Sequence, residues 1–306
     1  MNEKIAITGA SGFVGKNLST YLTESGYNVF PISREGNSFN TTALHQNNFF
    51  AVIHLAGKAH DLKNVSNPGE YYKDNTELTK QIFDYFISSS AEVFIFMSSV
   101  KAAADEVHDL LTEDVAPDPK THYGKSKRLA EEYILQNLPE SKRVYILRPC
   151  MIHGPGNKGN LNLLFKLVSK GIPWPLGAFE NKRSFCSIGN LCFVVKELLH
   201  NKNIPSGIYN VADDEPLSTN TLISLISRSV NKRERIWNLP KALVTSMAKV
   251  GDVLRLPLNS ERLQKLTESY VVSNAKLKAA IGKPLPISAR EGLAHTIQTF
   301  SQRPTS

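Results

Sequence analysis

The amino terminus of the chain carries the strongest constraint on its fold. A short apolar run at residues 5–7 leads directly into Thr8-Gly9-Ala10-Ser11-Gly12-Phe13-Val14-Gly15. This order predicts a strand, a glycine loop and an amphipathic helix. Gly9 permits the tight turn, Gly12 lets the backbone approach a pyrophosphate, and Gly15 lets the helix pack against the strand. The helix would direct its free N–H groups and positive dipole end at the phosphates. A dinucleotide site is therefore predicted, with contacts from Gly9, Ser11, Gly12, Phe13, Val14 and Gly15.

The bulk composition excludes several other classes of protein. The chain has 306 residues, of which 41% are hydrophobic and 21% are charged, as in ordinary globular proteins. No apolar stretch reaches the ~18 residues of a membrane span, and no signal peptide precedes the first strand. The three cysteines are an odd number without ligand-type spacing. They predict a reduced, cytoplasmic setting without a metal.

The positive charge of the chain suits nucleic acid, a membrane surface or an anionic small substrate. The formal net charge is +8, but the basic residues are scattered. The densest cluster, Lys232-Arg233-Glu234-Arg235, is short and is interrupted by an acid. A nucleic-acid-binding protein is therefore disfavoured, because that function usually needs a block or stripe of positive charge.

Strands and helices alternate along the first half of the sequence. Strands are predicted at 28–33, 51–55, 93–97 and 144–147, and helices at 75–87 and 123–136. Nearly continuous apolar strands that alternate with helices predict an α/β fold, a Rossmann-type doubly wound parallel sheet. Ligands of such sheets bind at the carboxyl ends of the strands.

The character of the sequence changes after Pro149. Glycines and prolines break the chain into loops, and short helices are predicted at 161–169, 191–200 and 219–230. We expect a dinucleotide-binding domain at 1–150 and a smaller substrate-binding α/β lid at 151–306, with 184–204 packing back on the first domain. The stretch 242–256 is apolar at helical spacing beside the basic cluster. Packing within the lid is favoured there over contact with a membrane.

Tyr123 and Lys127 are the main candidates for chemistry. They lie four residues apart on a predicted helix and so share one face. A nearby ammonium lowers the pKa of a phenol, which is otherwise a poor base at neutral pH. The tyrosine can then exchange a proton with a substrate hydroxyl while a nicotinamide exchanges a hydride. Ser98 and Ser99 end the preceding strand, where a hydroxyl can hydrogen-bond the reacting oxygen.

Taken together, these motifs resemble the extended short-chain dehydrogenases/reductases that modify nucleotide-sugars. The matching motifs include the glycine loop, His54-Leu55-Ala56-Gly57, the Asn75 segment, Tyr123-Gly124-Lys125-Ser126-Lys127 and Arg148-Pro149 before Gly154-Pro155-Gly156. Lys158-Gly159-Asn160, 173–177 and Asn181-Lys182-Arg183-Ser184 are similar to a bacterial subgroup. That subgroup includes UDP-glucose 4-epimerase-like proteins and 4-reductases of UDP-4-keto-6-deoxy-HexNAc sugars in surface-polysaccharide synthesis.

The resemblance implies a role for each matching residue. Tyr123 would be the acid/base, Lys127 would hold the nicotinamide ribose, and Ser99 rather than Ser98 would contact the reacting oxygen. Arg183 would bind the substrate pyrophosphate. Further cofactor contacts are expected from Leu55, Ala56, Gly57, Asn75 and Pro149. Further substrate contacts are expected from Ser98, Lys101, Asn160 and Trp174, although Trp174 fits packing of the lid equally well. His54 and His153 are interpreted as packing residues.

The end of the second predicted strand bears on the cofactor. It reads Ile32-Ser33-Arg34, with no acid before Glu35. An acid at this place binds the ribose 2′-OH of NAD, whereas an arginine accommodates the 2′-phosphate of NADP. Arg34 therefore favours NADP(H), although NAD stays open because an arginine can also stack on adenine.

A net reductase draws on free reduced cofactor, and NADPH is the usual cellular donor. Because Arg34 favours NADP(H), it also favours a 4-keto-sugar reductase acting on a UDP-sugar. A UDP-glucose or UDP-GlcNAc 4-epimerase remains the alternative, and a catalytically silent cofactor-binding module is the third reading. Three departures from the family pattern put the sugar pocket in doubt: Gly189-Asn190, Lys101-Ala102-Ala103-Ala104 and His122. A homodimer stays open.

Overall fold

The fold was derived from a computed structural model of the chain. It describes residues 3–35, 38–39, 44, 47–58, 67–157, 160–254 and 259–301. Among the described residues, no helix is long and apolar enough to cross a membrane.

A parallel sheet of six strands forms the centre of the molecule, in the order β10-β7-β6-β5-β1-β2. The predicted α/β, doubly wound class is therefore confirmed. The register brings the carboxyl ends of adjacent strands to one edge, with Thr8 opposite His54 and Met97 opposite Leu147. The strands are β1 (Lys4–Thr8), β2 (Asn28–Ile32), β5 (Ala51–His54), β6 (Val93–Met97), β7 (Arg143–Pro149) and β10 (Gly207–Val211).

Helices cover both faces of this sheet because its strands are apolar on both sides. One face packs on residues of α1, α6 and α10, and the other on residues of α3 and α4. The helices and turns are α1 (Phe13–Glu24), α2 (Pro68–Tyr71), a π-helical segment (Tyr72–Glu77), α3 (Leu78–Ser88), a 3₁₀ turn (Val100–Ala102), α4 (His122–Gln136), α6 (Ile188–His200) and α10 (Ala275–Ile281).

The remaining elements form a lid with its own apolar clusters. These clusters join α5, α7, α8, α9 and α11 around Trp174, Leu176 and Ile226 and around Phe185 and Leu293. The elements are α5 (Asn160–Ser169), α7 (Thr219–Ser229), α8 (Lys241–Leu254), α9 (Ser260–Thr267), α11 (Ala289–Ser301) and the parallel pair β8 (Met151–His153) and β9 (Phe185–Ser187). A short antiparallel pair, β3 (Arg34–Glu35) and β4 (Ser38–Phe39), follows β2.

The chain crosses between these two halves more often than the sequence suggested. Helix α6 lies within 184–204, and its residues Leu191 and Cys192 join the cluster on the α1 face of the sheet. Strand β10 then completes the sheet beside β7, and α10 packs on the same face. The expected lid region 151–306 therefore also supplies an edge strand and two helices to the sheet layer.

Candidate active site

The glycine loop between β1 and α1 is built as a phosphate cradle. Gly9 has φ +72°, and a β-carbon there would stand 2.7 Å from the backbone nitrogen of Ala56. A β-carbon on Gly15 would overlap the carbonyl oxygen of Gly9, so both positions require glycine. Gly12 begins α1 without a side-chain cap, and no acid lies in the first turn. The free N–H groups and the dipole therefore suit an anionic ligand.

The adjacent strand end closes the cradle from the side. Thr8 accepts backbone hydrogen bonds from Leu55 at its carbonyl (3.2 Å) and from Ala56 at its hydroxyl (3.2 Å). These bonds fix the segment Leu55-Ala56-Gly57 at the carboxyl edge of the sheet. Ser11 and Gly57 are exposed there, while Phe13 and Val14 are half-buried. The cofactor residues predicted along β1, α1 and β5 thus lie at one edge.

Lys127 reaches the same edge from α4. Its ammonium donates to the carbonyl of Met97 at 2.8 Å and lies 3.3 Å from the place of a β-carbon on Gly57. The same β-carbon would stand 2.5 Å from Oδ1 of Asn75. Burial lowers the pKa of Lys127 to about 8, partly offset by Glu131. The structure therefore brings Asn75 and Lys127 together beside Gly57, where the absence of a β-carbon leaves space.

Asn75 is a rigid member of this group. It is fully buried, donates to the hydroxyl of Ser126 (3.0 Å) and to the carbonyl of Lys58 (3.1 Å), and accepts from the Lys58 N–H at 2.8 Å. It lies in the π-helical segment, a form that often marks functional sites. Its amide therefore ties the loop after β5 to α4.

Tyr123 and Ser99 form the reactive pair. Tyr123 is half-buried at the start of α4, and its hydroxyl shares a hydrogen bond with the side chain of Ser99. Burial raises the pKa of Tyr123, and the bond to Ser99 lowers it by less. The expected lowering of this pKa is not seen in the protein alone, because burial outweighs the Ser99 hydrogen bond. In the protein alone, burial therefore favours the phenol of Tyr123 over its phenolate.

Helix α4 is held in place by the turn that follows Ser99. Thr121 caps the helix by accepting from the Gly124 N–H at 3.2 Å, and Asp105 accepts from the backbone N–H of Thr121 at 3.1 Å. A β-carbon on Gly124 would overlap the carbonyl of Lys101. Close packing at this glycine keeps Tyr123 beside Ser99.

Ser98 does not belong to the substrate side of the site, contrary to its inclusion among the expected contacts. It is buried, and its hydroxyl donates to Oε1 of Glu131 at 2.6 Å. Successive residues of an extended segment point to opposite sides, so Ser99 faces the site when Ser98 faces the interior. Glu131 also accepts two bonds from the buried guanidinium of Arg148, at 2.9 and 2.6 Å.

Glu131 was missed in the sequence although its spacing gave a signal. It lies four residues after Lys127 on α4, so the two residues share a face. Its charge raises the pKa of Lys127 and so favours the ammonium. The buried Ser98–Glu131–Arg148 group therefore supports the site from beneath without entering it.

Lys101 and Arg183 are brought together with Glu268 and Tyr270. The Arg183 guanidinium donates to the Glu268 carbonyl (3.2 Å), to the Lys265 carbonyl and to the Glu268 carboxylate (3.3 Å). The Lys101 ammonium lies 4.5 Å from the centre of the Tyr270 ring and donates to the Asp105 carbonyl at 2.7 Å. Burial lowers the pKa of both basic groups. The two cations lie close enough for the charge of Arg183 to add to the lowering of the Lys101 pKa.

Three expected contacts, unlike Pro149 at the carboxyl end of β7, lie in the lid core or have side chains outside the described part of the structure. Trp174 is buried in the lid core, so the structure gives it a packing position rather than one in the site. Pro149 is buried at the end of β7, beside Val211 of β10. The side chains of Arg34 and Asn160 lie outside the described part of the structure.

His54 is a structural residue, as the sequence suggested. The Thr79 hydroxyl donates to the Asn75 carbonyl (2.6 Å), so it accepts from Nε2 of His54 at 3.0 Å. Nδ1 then accepts from the Thr8 hydroxyl at 2.7 Å. Burial, with a smaller effect of the Lys127 charge, lowers the pKa of His54 to about 3. The ring is therefore neutral and joins β1 and β5 to the Asn75 segment.

His153 also occupies a buried structural position. Its Nδ1 bonds the Thr296 hydroxyl at 2.9 Å, and its Nε2 lies 3.5 Å from a carboxylate oxygen of Asp213. Asp213 accepts from the backbone N–H of Ser187 at 3.0 Å and from the Asn190 amide at 2.7 Å. These contacts join β8, β9, α6 and α11, and they do not reach Tyr123.

The fold and the Ser–Tyr–Lys arrangement define an extended short-chain dehydrogenase/reductase of the nucleotide-sugar-modifying class. The model of the NAD dependent epimerase/dehydratase family matches residues 5–212. The chain belongs to this family, which depends on a nicotinamide dinucleotide.

Two relatives match along nearly the whole chain. The UDP-glucose 4-epimerase of Vibrio cholerae is 30% identical, covering 99% of this chain and 97% of its own. The N-acetyl-alpha-D-glucosaminyl-diphospho-ditrans,octacis-undecaprenol 4-epimerase of Escherichia coli O157:H7 is 29% identical, covering 97% and 95%. The solved structure of MoeE5 with UDP-glucuronic acid and NAD superimposes with a TM-score of 0.76 over 98% of this chain and 99% of its own. At 20% identity, it shows a common fold.

Proposed function

We propose that the protein is a nicotinamide-dependent enzyme that acts at C4 of a UDP-sugar, and that its overall reaction is 4-epimerisation. The observation that carries the proposal is the Tyr123–Ser99 hydrogen bond at the carboxyl edge of the sheet. The ammonium of Lys127 and the exposed Gly57 lie at the same edge. These contacts support a proton-exchanging phenol next to the proposed dinucleotide-binding site.

The residues fit the cofactor that the family implies. Gly9 and Gly15 hold the loop in the required shape, the amino terminus of α1 lacks a side-chain cap, and the space at Gly57 lacks a β-carbon. When bound, the nicotinamide supplies hydride chemistry at a carbinol carbon. Lys127 would hydrogen-bond the ribose beside it, and the loop of Gly9 and Gly12 would hold the pyrophosphate.

Tyr123 and Ser99 provide the proton transfer at C4. As the phenolate, Tyr123 accepts the proton of the C4 hydroxyl when a ketone forms, and the resulting phenol returns that proton when the hydroxyl is restored. Ser99 hydrogen-bonds the same oxygen and limits the upward shift of the Tyr123 pKa. For epimerisation the proton and the hydride return after the ketone has presented its other face, so the reaction is redox-neutral.

The substrate's diphosphate is assigned to Lys101 and Arg183. A planar guanidinium suits phosphate oxygens in a bidentate manner. Arg183 is pinned by the Glu268 carboxylate at 3.3 Å, so the diphosphate would compete with that carboxylate for it. The chain's net charge of +8 supports an anionic substrate.

Epimerisation is preferred over net reduction because the two relatives described above, each covering at least 97% of this chain, are named 4-epimerases. The sequence favoured a 4-keto-sugar reductase, and one feature still supports that second candidate. Arg34 follows β2, with no acid before Glu35, and this pattern favours the 2′-phosphate of NADP(H). A homodimer remains part of the proposal without a described contact that favours it.

The deciding experiment separates the two reactions. Purified protein is incubated with UDP-glucose, UDP-GlcNAc or a UDP-4-keto-6-deoxy-HexNAc, with and without added NADPH or NADH, and the products are identified by NMR. A polyprenyl-diphosphate GlcNAc is included, as the name of the E. coli relative suggests. We expect C4 epimers without consumption of reduced cofactor. Stoichiometric oxidation of NADPH with the keto sugar would replace the epimerase by the reductase.

Two variants test the assignment of residues. Tyr123→Phe should lower turnover by at least ~10²-fold without loss of cofactor binding. Tyr72→Phe is the matched control, because the Tyr72 hydroxyl makes an exposed hydrogen bond to the His122 ring at 3.0 Å. Tighter binding of NADPH than NADH by the wild type, abolished in Arg34→Ala, would assign cofactor preference to Arg34.

A further inference from the structure

Helix α8 has two apolar faces, and the lid covers only one of them. Val244, Ala248 and Gly251 are buried against the lid core. Leu243, Met247, Val250 and Leu254 follow the spacing i, i+4, i+7 and i+11, which places them on one side of the helix. They are 50, 51, 53 and 63% exposed, and Val253 beside them is 81% exposed. The favoured packing within the lid therefore accounts for one face of this helix and leaves the other exposed.

An exposed tryptophan extends this surface. Trp237 lies just before α8 and is 55% exposed. Its backbone N–H donates to the carbonyl of the buried Trp174 at 2.8 Å, which fixes its segment to the lid. We define the apolar face as Trp237, Leu243, Met247, Val250, Val253 and Leu254. Contiguous apolar surface of this kind on a protein usually marks a site of contact.

Basic side chains lie on α8 and in the segment that precedes it. Lys232, Arg233, Arg235, Lys241 and Lys249 are all exposed. Of the nearby acids, Glu234 pairs with Arg228 at 3.4 Å, whereas Asp252 accepts from Ser260 at 2.9 Å and keeps its negative charge, so the five basic residues outnumber the acids. The rim of the apolar face is therefore positive.

The charge of the rim selects one partner. An isologous contact between two copies of the chain would bring the same basic rims towards each other, which is unfavourable. An anionic lipid surface complements the rim, and each Lys or Arg near such a surface contributes about 1 kcal/mol. Apolar side chains with an adjacent Trp are typical of helices at the boundary between headgroups and acyl chains.

We propose that α8 lies flat on an anionic phospholipid bilayer, with its apolar face inserted at the headgroup boundary and its basic rim on the lipid phosphates. The helix has 14 residues and so spans about 21 Å, too short for the ~30 Å hydrocarbon core. Helix α8 packs on α9, whose Lys265 carbonyl holds Arg183. The contact would thus hold the proposed diphosphate-binding end of the lid towards the membrane. The proposal goes beyond the proposed function and does not depend on it.

The test uses the full chain and vesicles of defined composition. Binding is measured by co-sedimentation with vesicles of phosphatidylcholine and phosphatidylglycerol (7:3) and with phosphatidylcholine alone, at low and high KCl. The two tryptophans provide a second signal, because Trp174 is 5% exposed and Trp237 is 55% exposed. We expect binding to the anionic vesicles only, weakened by salt, with a blue shift of emission that is lost in Trp237→Phe.

Matched variants locate the contact. Met247→Gln/Val250→Gln/Leu254→Gln should lower the vesicle affinity at least ~10-fold, whereas Leu163→Gln, at an exposed leucine on α5, should leave it unchanged. Circular dichroism checks that both variants fold. Sugar conversion in free solution should be equal in both, which separates this proposal from the enzymatic one.

Two results would overturn the proposal. The first is vesicle binding that is absent in the wild type or equal in the triple variant. The second is a dimer by light scattering that dissociates in the triple variant, which would make the apolar face a contact between copies of the chain.

Discussion

The ammonium of Lys127 lies 3.3 Å from the point where a β-carbon on Gly57 would stand. The same point is 2.5 Å from Oδ1 of Asn75. The absence of a side chain at this one position therefore keeps the lysine and the asparagine in place and leaves their edge of the sheet open.

Gly57→Ala should weaken dinucleotide binding by at least ~10-fold, because the new methyl group must displace Asn75 or Lys127. Fluorescence titration with NADH or NADPH measures the affinity. Gly69→Ala is the control, since a β-carbon there would stand 3.4 Å from its nearest neighbour, an ordinary contact. Equal affinities of the two variants would contradict the assignment of Gly57 to the cofactor edge.

The pH dependence of activity tests the Tyr123–Ser99 pair. Burial raises the pKa of Tyr123 and the Ser99 hydrogen bond opposes this, so Ser99→Ala should move the pKa of Tyr123 further up. We expect the ascending limb of log kcat/KM against pH to shift to higher pH, together with a loss of at least ~10-fold in kcat. Ser98→Ala should leave the position of the limb unchanged, because Ser98 faces Glu131. A shift in Ser98→Ala alone would reverse their roles.

Lys127 makes stability depend on pH in the alkaline range. Its pKa is about 8 in the folded protein, against about 10.4 for an unperturbed lysine. The unfolded chain therefore binds more protons between these values, and the free energy of unfolding should rise with pH across this window by on the order of 3 kcal/mol. The free energy of unfolding of Lys127→Met minus that of wild type should therefore be larger at pH 7 than at pH 10. Denaturant unfolding of Lys125→Met, at an exposed lysine, provides the reference.

His54 should dominate stability in the acid range. Its pKa is about 3 when folded, against about 6.5 for an unperturbed histidine. The unfolded state binds the proton first as pH falls from about 6.5, so stability falls by up to about 1.4 kcal/mol per pH unit towards pH 3. His54→Asn should be less stable at pH 7 but should lose this slope. The exposed His108→Asn should keep this slope. If both variants had the same slope, His54 would not be its source, and the pKa of His54 would not be lowered in the folded protein.

Much of the sheet and the positions of Tyr123 and Lys127 on one helix could be predicted because their signals are local. The glycine spacing, the apolar runs and the four-residue spacing of Tyr123 and Lys127 each specify geometry within a few turns of chain. Strand β2 ends at Ile32, one residue short of the prediction, and α4 begins one residue early at His122. Alternation past β6 could also have separated Ser98 from Ser99.

Contacts between distant segments could not be predicted in the same way. Glu268 meets Arg183 across 85 residues, and nothing in the local pattern around either residue indicates that pairing. Strand β10 was missed because it is short and carries a buried Asn210, whose backbone N–H donates to Glu113 at 2.7 Å. Only the tertiary fold supplies that partner. The same holds for Trp174, whose position in the lid core depends on the helices packed around it.

Arg183 provides the test of the substrate end of the site. Its guanidinium contacts the Glu268 carboxylate at 3.3 Å, and its pKa is lowered by burial. Arg183→Lys removes the planar bidentate donor, so KM for the nucleotide-sugar should rise about 10-fold with little change in the affinity for the cofactor. Glu268→Gln removes a competing anion and should lower KM instead. Arg228→Lys, at an arginine that is 78% exposed and pairs with Glu234, should change neither value. If steady-state kinetics give an unchanged KM for Arg183→Lys, then Arg183 only fastens α9 to the lid, and the diphosphate must be held by other residues.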